Sequence, residues 1–187
     1  MTTRHDYIAD SAKSLLLIID FQQKMLKAIP SWEEIAARVG QLTTSAQILE
    51  IPVVLTEQYS KGLGATLPKI LEKIHPAPPV FHKEHFSACL EPAFLGMMRS
   101  FARPQLVVVG METHVCVLQT CLDLLQAGFQ VHLVADAVAS RVTTNRDLAL
   151  DLLRQAGALI TSTEIVIFQW SCRANTDAFR RILPIVK

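Results

Sequence analysis

The sequence predicts an α/β protein, with a six-stranded, mainly parallel sheet between two layers of helices in a three-layer α/β/α arrangement. Two observations lead to this prediction. Six short apolar runs recur along the chain, and the segments between them show helical periodicity or turn residues. Near-continuous apolarity is typical of strands buried on both faces, and strands that alternate with helices form parallel sheets covered by helices. Since no linker interrupts the pattern, we expect residues 1–187 to form one domain.

The six predicted strands follow one another at intervals that leave room for a helix or a turn. They comprise residues 15–19, 53–56, 80–82, 106–109, 131–134 and 159–162. Each run is far shorter than the stretch of about 20 apolar residues that spans a bilayer. We therefore expect a protein that does not associate with membranes.

Two capping signatures predict where helices begin. Ser31 precedes Glu34 by three residues, and apolar residues follow at spacings of three and four. Thr144 precedes Asp147 in the same way, ahead of several leucines. Such pairs satisfy backbone N–H groups that the first helical turn leaves unpaired. We expect helices to start at these two positions.

Composition limits the partners of the chain. The net charge of +1 provides no basic surface for nucleic acid. The N-terminal residues mix charged and small side chains without the apolar block of a secretory signal, so we expect a cytoplasmic protein.

Hydrophobic residues make up 50% of the chain. Because one domain of this size cannot bury them all, we expect a homo-oligomer.

Polar and reactive side chains follow several of the predicted strands. Asp20 ends the first strand, residues 57–59 follow the second, Lys83 ends the third and Asp136 ends the fifth. Cys116 follows the fourth strand after a short turn and opens a helical segment. In parallel sheets, ligands bind beyond the carboxyl ends of the strands. We therefore expect Asp20, Lys83 and Cys116 to meet at one rim.

These three groups suit nucleophilic catalysis. A carboxylate can take the proton of a thiol, and a lysine can stabilise both anions. The dipole and free amides of a helix N-terminus also favour an anion, which predicts a Cys116 thiolate near neutral pH. On this hypothesis, replacing Asp20 by asparagine should raise the pKa of the thiol.

Other motifs indicate no cofactor and no dedicated metal. Gly62 and Gly64 begin like a dinucleotide-binding fingerprint, but Leu67 occupies the place of its third glycine. Four histidines match no common ligand spacing: His75, His82, His85 and His114. The remaining cysteines, Cys89, Cys121 and Cys172, are interpreted as structural or incidental.

Four segments together resemble the isochorismatase-like cysteine hydrolases. They are residues 16–22 (LLIIDFQ), 56–59 (TEQY), 81–83 (FHK) and 110–117 (GMETHVCV). The longer segment 56–64 (TEQYSKGLG) is similar to the subgroup of YcaC-like and animal isochorismatase-domain proteins. The family's fold is a parallel sheet covered by helices on both faces, in agreement with the pattern of strands.

The resemblance implies a role for each member of the trio. Asp20 would be the general base, Cys116 the nucleophile, and Lys83 the residue that orients and supports both. A non-proline cis peptide at Met111–Glu112 would help to aim amide groups at an oxyanion. The substrate would be a small amide or a related acyl compound, and the pocket would include these side chains: Phe21, Glu57, Gln58, Tyr59, Phe86 and Thr113.

Differences from other family members narrow the predicted activity and metal requirement. Nicotinamidases in the superfamily hold a metal with an Asp-x-His motif, whereas this chain has TEQYSK at residues 56–61, which argues against that metal. The intact Cys116 favours amide or acyl chemistry over cleavage of a vinyl ether. Two alternatives stay open: a catalytically silent oligomer that binds a small molecule or a protein, and a redox-responsive thiol.

Overall fold

The computed structural model describes residues 4–30 and 32–187. In this part of the chain six strands form one sheet: β1 (Ser14–Ile19), β2 (Val53–Gln58), β3 (Val80–Lys83), β4 (Gln105–Met111), β5 (Gln130–Ala139) and β6 (Leu159–Thr161). Their order is β3-β2-β1-β4-β5-β6, and every neighbouring pair is parallel. The predicted fold class is therefore confirmed. The order reverses between β1 and β4, which places the switch point beside the ends of these two strands.

Helices follow most of the strands. They are α1 (Gln23–Leu26), α2 (Trp32–Ile48), α3 (Ser60–Leu63), α4 (Pro68–Leu71), α5 (Phe94–Ser100), α6 (Leu118–Gln126), α7 (Thr143–Gln155), α8 (Thr163–Ser171) and α9 (Asp177–Val186). A 3₁₀ turn spans Ala88–Leu90, and a π-helical turn at Thr113–Val117 leads into α6. Among the described residues, no helix has the length and apolar character needed to cross a membrane.

The two predicted helix starts have different outcomes. The predicted cap Ser31 lies outside the described residues, and α2 begins at Trp32. The prediction that Thr144 caps the later helix is wrong, because α7 already includes Thr143 and its cap position is Val142, without a side-chain hydrogen bond. A β-branched apolar residue at the cap leaves the first amides of α7 to other partners or to water.

The sheet separates two apolar cores. Leu16 and Ile18 of β1 pack on the side of α2, α8 and α9, whereas Leu15 and Leu17 pack on the side of α5, α6 and α7. Successive side chains of a strand point to opposite faces, so both faces of β1 are covered by helices. All six residues of β1 are buried, which explains the uninterrupted apolar run in the sequence.

Gly110 allows β4 to approach β1 at the end of the sheet that carries the reactive residues. Its φ is +128°, and a Cβ atom there would lie 2.0 Å from the backbone oxygen of Ile19. Gly110 is also the residue paired with Ile19 in the ladder between β1 and β4. A side chain at this position would push apart the two strands that precede Asp20 and Cys116.

We therefore predict that Gly110→Ala lowers the free energy of unfolding by about 3 kcal/mol or more, because the substitution combines a positive φ with a backbone clash. Urea unfolding measures the change. Gly96→Ala, inside α5 with no atom within 4 Å of its added Cβ, is the matched control. It should keep or slightly raise stability, since alanine favours a helix more than glycine does. A Gly110→Ala protein as stable as the Gly96→Ala control would contradict this account.

Candidate active site

The structure brings Asp20, Lys83 and Cys116 together beyond the carboxyl ends of the strands. Asp20 follows β1, Lys83 is the last residue of β3, and Cys116 lies in the π-helical turn after β4. Because β2 lies between β1 and β3, the ends of β1 and β3 are about 10 Å apart. The long lysine side chain covers that span and places its Nζ 2.8 Å from Asp20 Oδ2. Cys116 lies close enough to both side chains for their charges to act on its thiol.

Asp20 is held in a fixed orientation at the end of β1. Its backbone has a φ of +50°, in the left-handed region, and its side chain is fully buried. Thr56 Oγ1 donates a 2.7 Å hydrogen bond to Oδ1. In the described chain, Oδ2 receives no hydrogen bond although Lys83 Nζ is close. Oδ2 is therefore the carboxylate oxygen that has no hydrogen-bond donor among the described residues.

The geometry around Lys83 explains why Asp20 Oδ2 receives no hydrogen bond from the ammonium. The ammonium has three N–H groups, and Nζ has three acceptors: Gln58 Oε1 at 2.6 Å, His85 O at 3.3 Å and Phe86 O at 3.2 Å. Its contact with Asp20 is an ion pair without hydrogen-bond geometry. Lys83 thus supplies positive charge to the carboxylate without occupying Oδ2.

Gln58 orients Lys83. Its Oε1 accepts from Lys83 Nζ, and its Nε2 donates to Glu84 O at 2.7 Å. The backbone amide of Gln58 donates to Gln22 Oε1 at 2.8 Å, and Gln22 Nε2 donates to Gln58 O at 3.0 Å. Gln58 was predicted to bind substrate. It does face the cavity, but both of its polar side-chain atoms are already hydrogen-bonded within the protein.

The state of the Cys116 thiol differs from the sequence-based prediction. Burial is the main cause that raises the pKa of Cys116 to about 12, and the neighbouring Asp20 carboxylate adds to the rise. The positive charge of Lys83 opposes both effects. The prediction of a thiolate near neutral pH is therefore wrong for the resting site. The loss of hydration on burial raises the thiol pKa more than the helix N-terminus lowers it. At rest the site holds a neutral thiol beside a carboxylate.

A cavity of about 320 Å³ opens beside Cys116. Its walls include Lys24, Met25, Ala28, Ile29, Gln58, Leu63, Phe86, Glu112, Val115, Cys116 and Arg141. Of the six residues predicted to bind substrate, Gln58 and Phe86 line it. The cavity connects the reactive thiol to the surface, as a small-molecule site requires.

The other four predicted pocket residues have different positions. Phe21 is fully buried in the core on the α2 side, and Thr113 is also fully buried, with a hydroxyl that has no partner among the described residues. Glu57 is buried and accepts hydrogen bonds from Thr66 N at 2.7 Å and Thr66 Oγ1 at 2.9 Å. Tyr59 is 54% exposed, outside the cavity that contains Cys116. None of these four side chains lines the cavity beside Cys116, and their contact with a substrate stays a prediction.

The peptide bond between Met111 and Glu112 is cis, at the position where the resemblance places such a bond. Met111 is buried, whereas Glu112 reaches the rim of the cavity. Both carboxylate oxygens of Glu112 contact Arg141 Nε, at 3.0 and 3.1 Å, and the Arg141 amide donates to Oε2 at 3.0 Å. Glu112 and Arg141 therefore form one connected pair at the rim.

Sequence reasoning missed Arg141 and the wall formed around α1. The end of the fifth strand was placed at Asp136, but β5 continues to Ala139 and brings Arg141 to the rim. Asp136 instead binds Thr163, through its amide at 2.8 Å and its hydroxyl at 3.0 Å. Met25, Ala28 and Ile29 have the three- and four-residue spacing of one helical face, a signal that was present in the sequence.

The remaining cysteines are free thiols in the described chain. Cys121 is buried in the core below α6, as the sequence predicted, and burial raises its pKa. Cys89 is half-buried near Asp123, and burial raises its pKa to about 12. Cys172 is exposed. Neither Cys89 nor Cys121 has the depressed pKa of a typical redox-sensing thiol.

The structure of the site predicts that Asp20→Asn changes the pKa of the Cys116 thiol in the direction opposite to that expected from the sequence. Because the Asp20 charge raises the thiol pKa and Lys83 lowers it, we now expect the asparagine variant to lower the pKa of Cys116. Alkylation below that pKa should then accelerate by about tenfold for each unit of the fall. The measurement is alkylation of Cys116 against pH, read by peptide mass spectrometry. Asp147→Asn, on the surface of α7, should leave the profile unchanged, and a raised pKa in Asp20→Asn would show that the carboxylate does not oppose the thiolate.

Comparisons with known proteins agree with this architecture. A family model described as the isochorismatase domain matches residues 14–165. Isochorismatase domain-containing protein 2 of Bos taurus is 38% identical over 178 residues, which cover 93% of this chain and 83% of the relative. A secreted isochorismatase effector of Phytophthora sojae is 37% identical over 177 residues, covering 93% of this chain and 84% of the relative.

Solved structures of similar proteins have the same fold. A MAR1 ribonuclease from Caenorhabditis elegans superposes with a TM-score of 0.89 at 37% identity, covering 95% of this chain and 91% of that one. YcaC from Pseudomonas aeruginosa, solved with hexane-2,5-diol and covalent acrylamide, superposes with a TM-score of 0.90 at 25% identity, covering 98% and 93%. The domain model matches most of the chain, and the relatives are 37% and 38% identical over more than four fifths of their length. The chain therefore belongs to the isochorismatase family.

Proposed function

We propose that this isochorismatase-family hydrolase uses Cys116 to cleave small amides or related acyl compounds, without a metal, through a covalent acyl-enzyme. One observation carries the proposal. The unoccupied carboxylate oxygen Asp20 Oδ2 and the Cys116 thiol lie within reach of each other beside a cavity, with Lys83 next to both. This arrangement places a base, a nucleophile and a fixed positive charge at one reacting centre.

The first half of the reaction forms a thioester. Asp20 Oδ2 takes the Cys116 proton as the sulfur attacks the carbonyl carbon, and the carbonyl oxygen becomes an oxyanion. We expect amides at the start of the turn Thr113–Val117 to stabilise that oxyanion, because the first turn of a helix leaves N–H groups without intrahelical partners. The amides of Val115 and Val117 are not among them, since both donate to Glu112 O. Asp20 returns the proton to the amide nitrogen, the C–N bond breaks, and the amine leaves.

The second half releases the acid. Asp20 removes a proton from water, the resulting hydroxide attacks the thioester carbonyl, and the C–S bond breaks. The sulfur leaves as a thiolate and recovers its proton from Asp20, which restores the resting site. The Lys83 ammonium lies beside both groups and stabilises whichever of the carboxylate and the thiolate is negative.

A neutral resting thiol is consistent with this cycle. Proton transfer to Asp20 turns a thiol beside a carboxylate into a thiolate beside a carboxylic acid, so the net charge of the buried trio does not change. A step that conserves buried charge avoids the large cost of creating an unpaired ion in a dry site. The covalent acrylamide in the P. aeruginosa YcaC structure supports the proposal, since acrylamide is an electrophile of the kind that thiolates attack.

Two other functions receive less support. The name of the C. elegans neighbour suggests cleavage of RNA, but this chain has a net charge of +1 and a cavity with mainly aliphatic and aromatic walls. Nucleic-acid binding usually requires an extended basic surface. A catalytically silent binding protein would not need the ordered Asp20, Lys83 and Cys116 contacts that this site maintains.

Cys116→Ala should reduce hydrolysis of any amide that the wild type cleaves by at least about 10³-fold, because the nucleophile is lost. Ammonia or amine release from a panel of small amides measures the rate, and intact-protein mass spectrometry detects the acyl-enzyme. Cys172→Ala, at an exposed thiol, is the matched control and should keep the wild-type rate. Hydrolysis by Cys116→Ala at the wild-type rate would refute the thioester pathway. A wild type that cleaves none of the amides and forms no adduct would favour the silent binding protein.

We also propose that the chain forms a homo-oligomer in the cytoplasm. Leu148 and Leu152 lie one turn apart on α7 and are 58% and 52% exposed, and Leu122 on the adjacent α6 is 38% exposed. Large apolar side chains that cluster on a surface are typical of an interface. The cytoplasmic location remains a prediction that cell fractionation can test, and the P. sojae relative is named as secreted.

The double substitution Leu148→Glu with Leu152→Glu should convert the oligomer to a monomer, because it would place charges in the apolar interface. Sedimentation velocity at micromolar concentration measures the mass. Asp151→Glu, on the same helix but at a site that is already charged, is the control. A wild type that sediments as a monomer of 20.8 kDa would refute the proposed assembly.

A further inference from the structure

The rim of the catalytic cavity carries more positive than negative charge. Lys24 and Arg141 are the cations of the lining, and Glu112 is its carboxylate. Asp20 and Lys83, next to Cys116, form a balanced pair. The cavity rim therefore carries one uncompensated positive charge.

The Arg141 guanidinium is held so that one edge faces outward. Its Nε contacts both oxygens of Glu112, and its backbone amide fixes the same carboxylate. Within the described residues, Nη1 and Nη2 have no hydrogen-bond partner, and the side chain is 59% exposed. Two parallel N–H groups on a planar guanidinium match the two oxygens of a carboxylate.

Lys24 is the second cation and comes from a different part of the chain. Its Nζ donates a 2.8 Å hydrogen bond to Gly62 O, and it has no carboxylate partner among the described residues. The ammonium has three N–H groups, so one such bond leaves donors for a ligand. Lys24 lies on α1 and Arg141 lies beyond β5, and both line the cavity.

Apart from Gln58, the rest of the wall is apolar. Met25 and Ile29 follow Lys24, Leu63 ends α3, and Phe86 lies in the loop after β3. A volume of about 320 Å³ is near the lower end of the range for ligand pockets. Such a cavity favours a compact apolar body attached to one anionic group.

From these features we infer that the substrate is a small amide with an apolar body and a carboxylate, which Arg141 and Lys24 bind at the rim. The inference rests on the proposed function, because it assumes that the scissile carbonyl is presented to Cys116. It assigns Arg141 and Lys24 to the recognition of the substrate and leaves the reaction steps to Asp20, Lys83 and Cys116.

Alkylation of Cys116 by iodoacetate and by iodoacetamide tests this inference without any amide substrate. Both reagents attack the same thiolate, so the ratio of their rates cancels any change in thiol pKa and reports the preference for a carboxylate. Arg141→Gln and Lys24→Gln should each lower the iodoacetate-to-iodoacetamide ratio by about threefold to fivefold, the effect of one partly exposed charge. Added salt should reduce the wild-type preference as well.

The controls use residues of similar exposure away from the site. Arg154→Gln removes a cation that is 58% exposed on α7 and should leave the ratio unchanged. Cys172, on the surface, provides an internal reference in every variant, and its ratio should not respond to Arg141 or Lys24. Arg141→Lys keeps the charge and should retain most of the preference.

The outcomes separate this inference from the proposed function. Ratios at Cys116 that stay at the wild-type value in both Arg141→Gln and Lys24→Gln would overturn the inference, even if neutral amides are hydrolysed. Lowered ratios in both variants would support a carboxylate-binding rim, even if no tested amide is cleaved. If only one variant lowers the ratio, the carboxylate site stands and its cation is that residue.

Discussion

The buried ion pair between Asp20 and Lys83 is the constraint on which the site depends. Both side chains are fully buried, and removing two charges from water costs several kcal/mol for each ion unless other groups compensate. The hydroxyl of Thr56 supports the carboxylate, and Gln58 with two backbone carbonyls supports the ammonium. These partners come from β2 and from the loop after β3, so β1, β2 and β3 must be in register for the pair to exist.

The same pair sets the state of the nucleophile. Cys116 lies in a dry environment next to one negative and one positive charge, and burial with the negative charge dominates. The thiol therefore stays protonated at rest, and Asp20 has an oxygen free to receive its proton. A permanently charged thiolate would leave an extra buried anion, whereas proton transfer during attack keeps the total charge constant.

The residues proposed to bind the substrate lie on different elements from the proposed catalytic residues. The reacting groups stand on the ends of β1 and β3 and on the turn after β4, which are fixed by the sheet. Much of the cavity wall comes from α1 and the residues after it, from α3, from the loop after β3, and from Arg141 beyond β5. Loops can change without disturbing the core, which allows one catalytic arrangement to serve different ligands. Arg141, with its exposed guanidinium edge, lies in this loop-built part of the wall.

The sequence by itself determined the fold class and the order of Asp20, Lys83 and Cys116, because strands buried on both faces leave an unmistakable apolar pattern and parallel strands end at one edge. It did not determine that β5 continues to Ala139, that Phe21 turns into the core, or that burial keeps Cys116 protonated. Strand length, side-chain direction and desolvation depend on neighbours that are distant in the chain. Only the tertiary structure assembles those neighbours, and so it alone decided the cavity wall and the charge of the thiol.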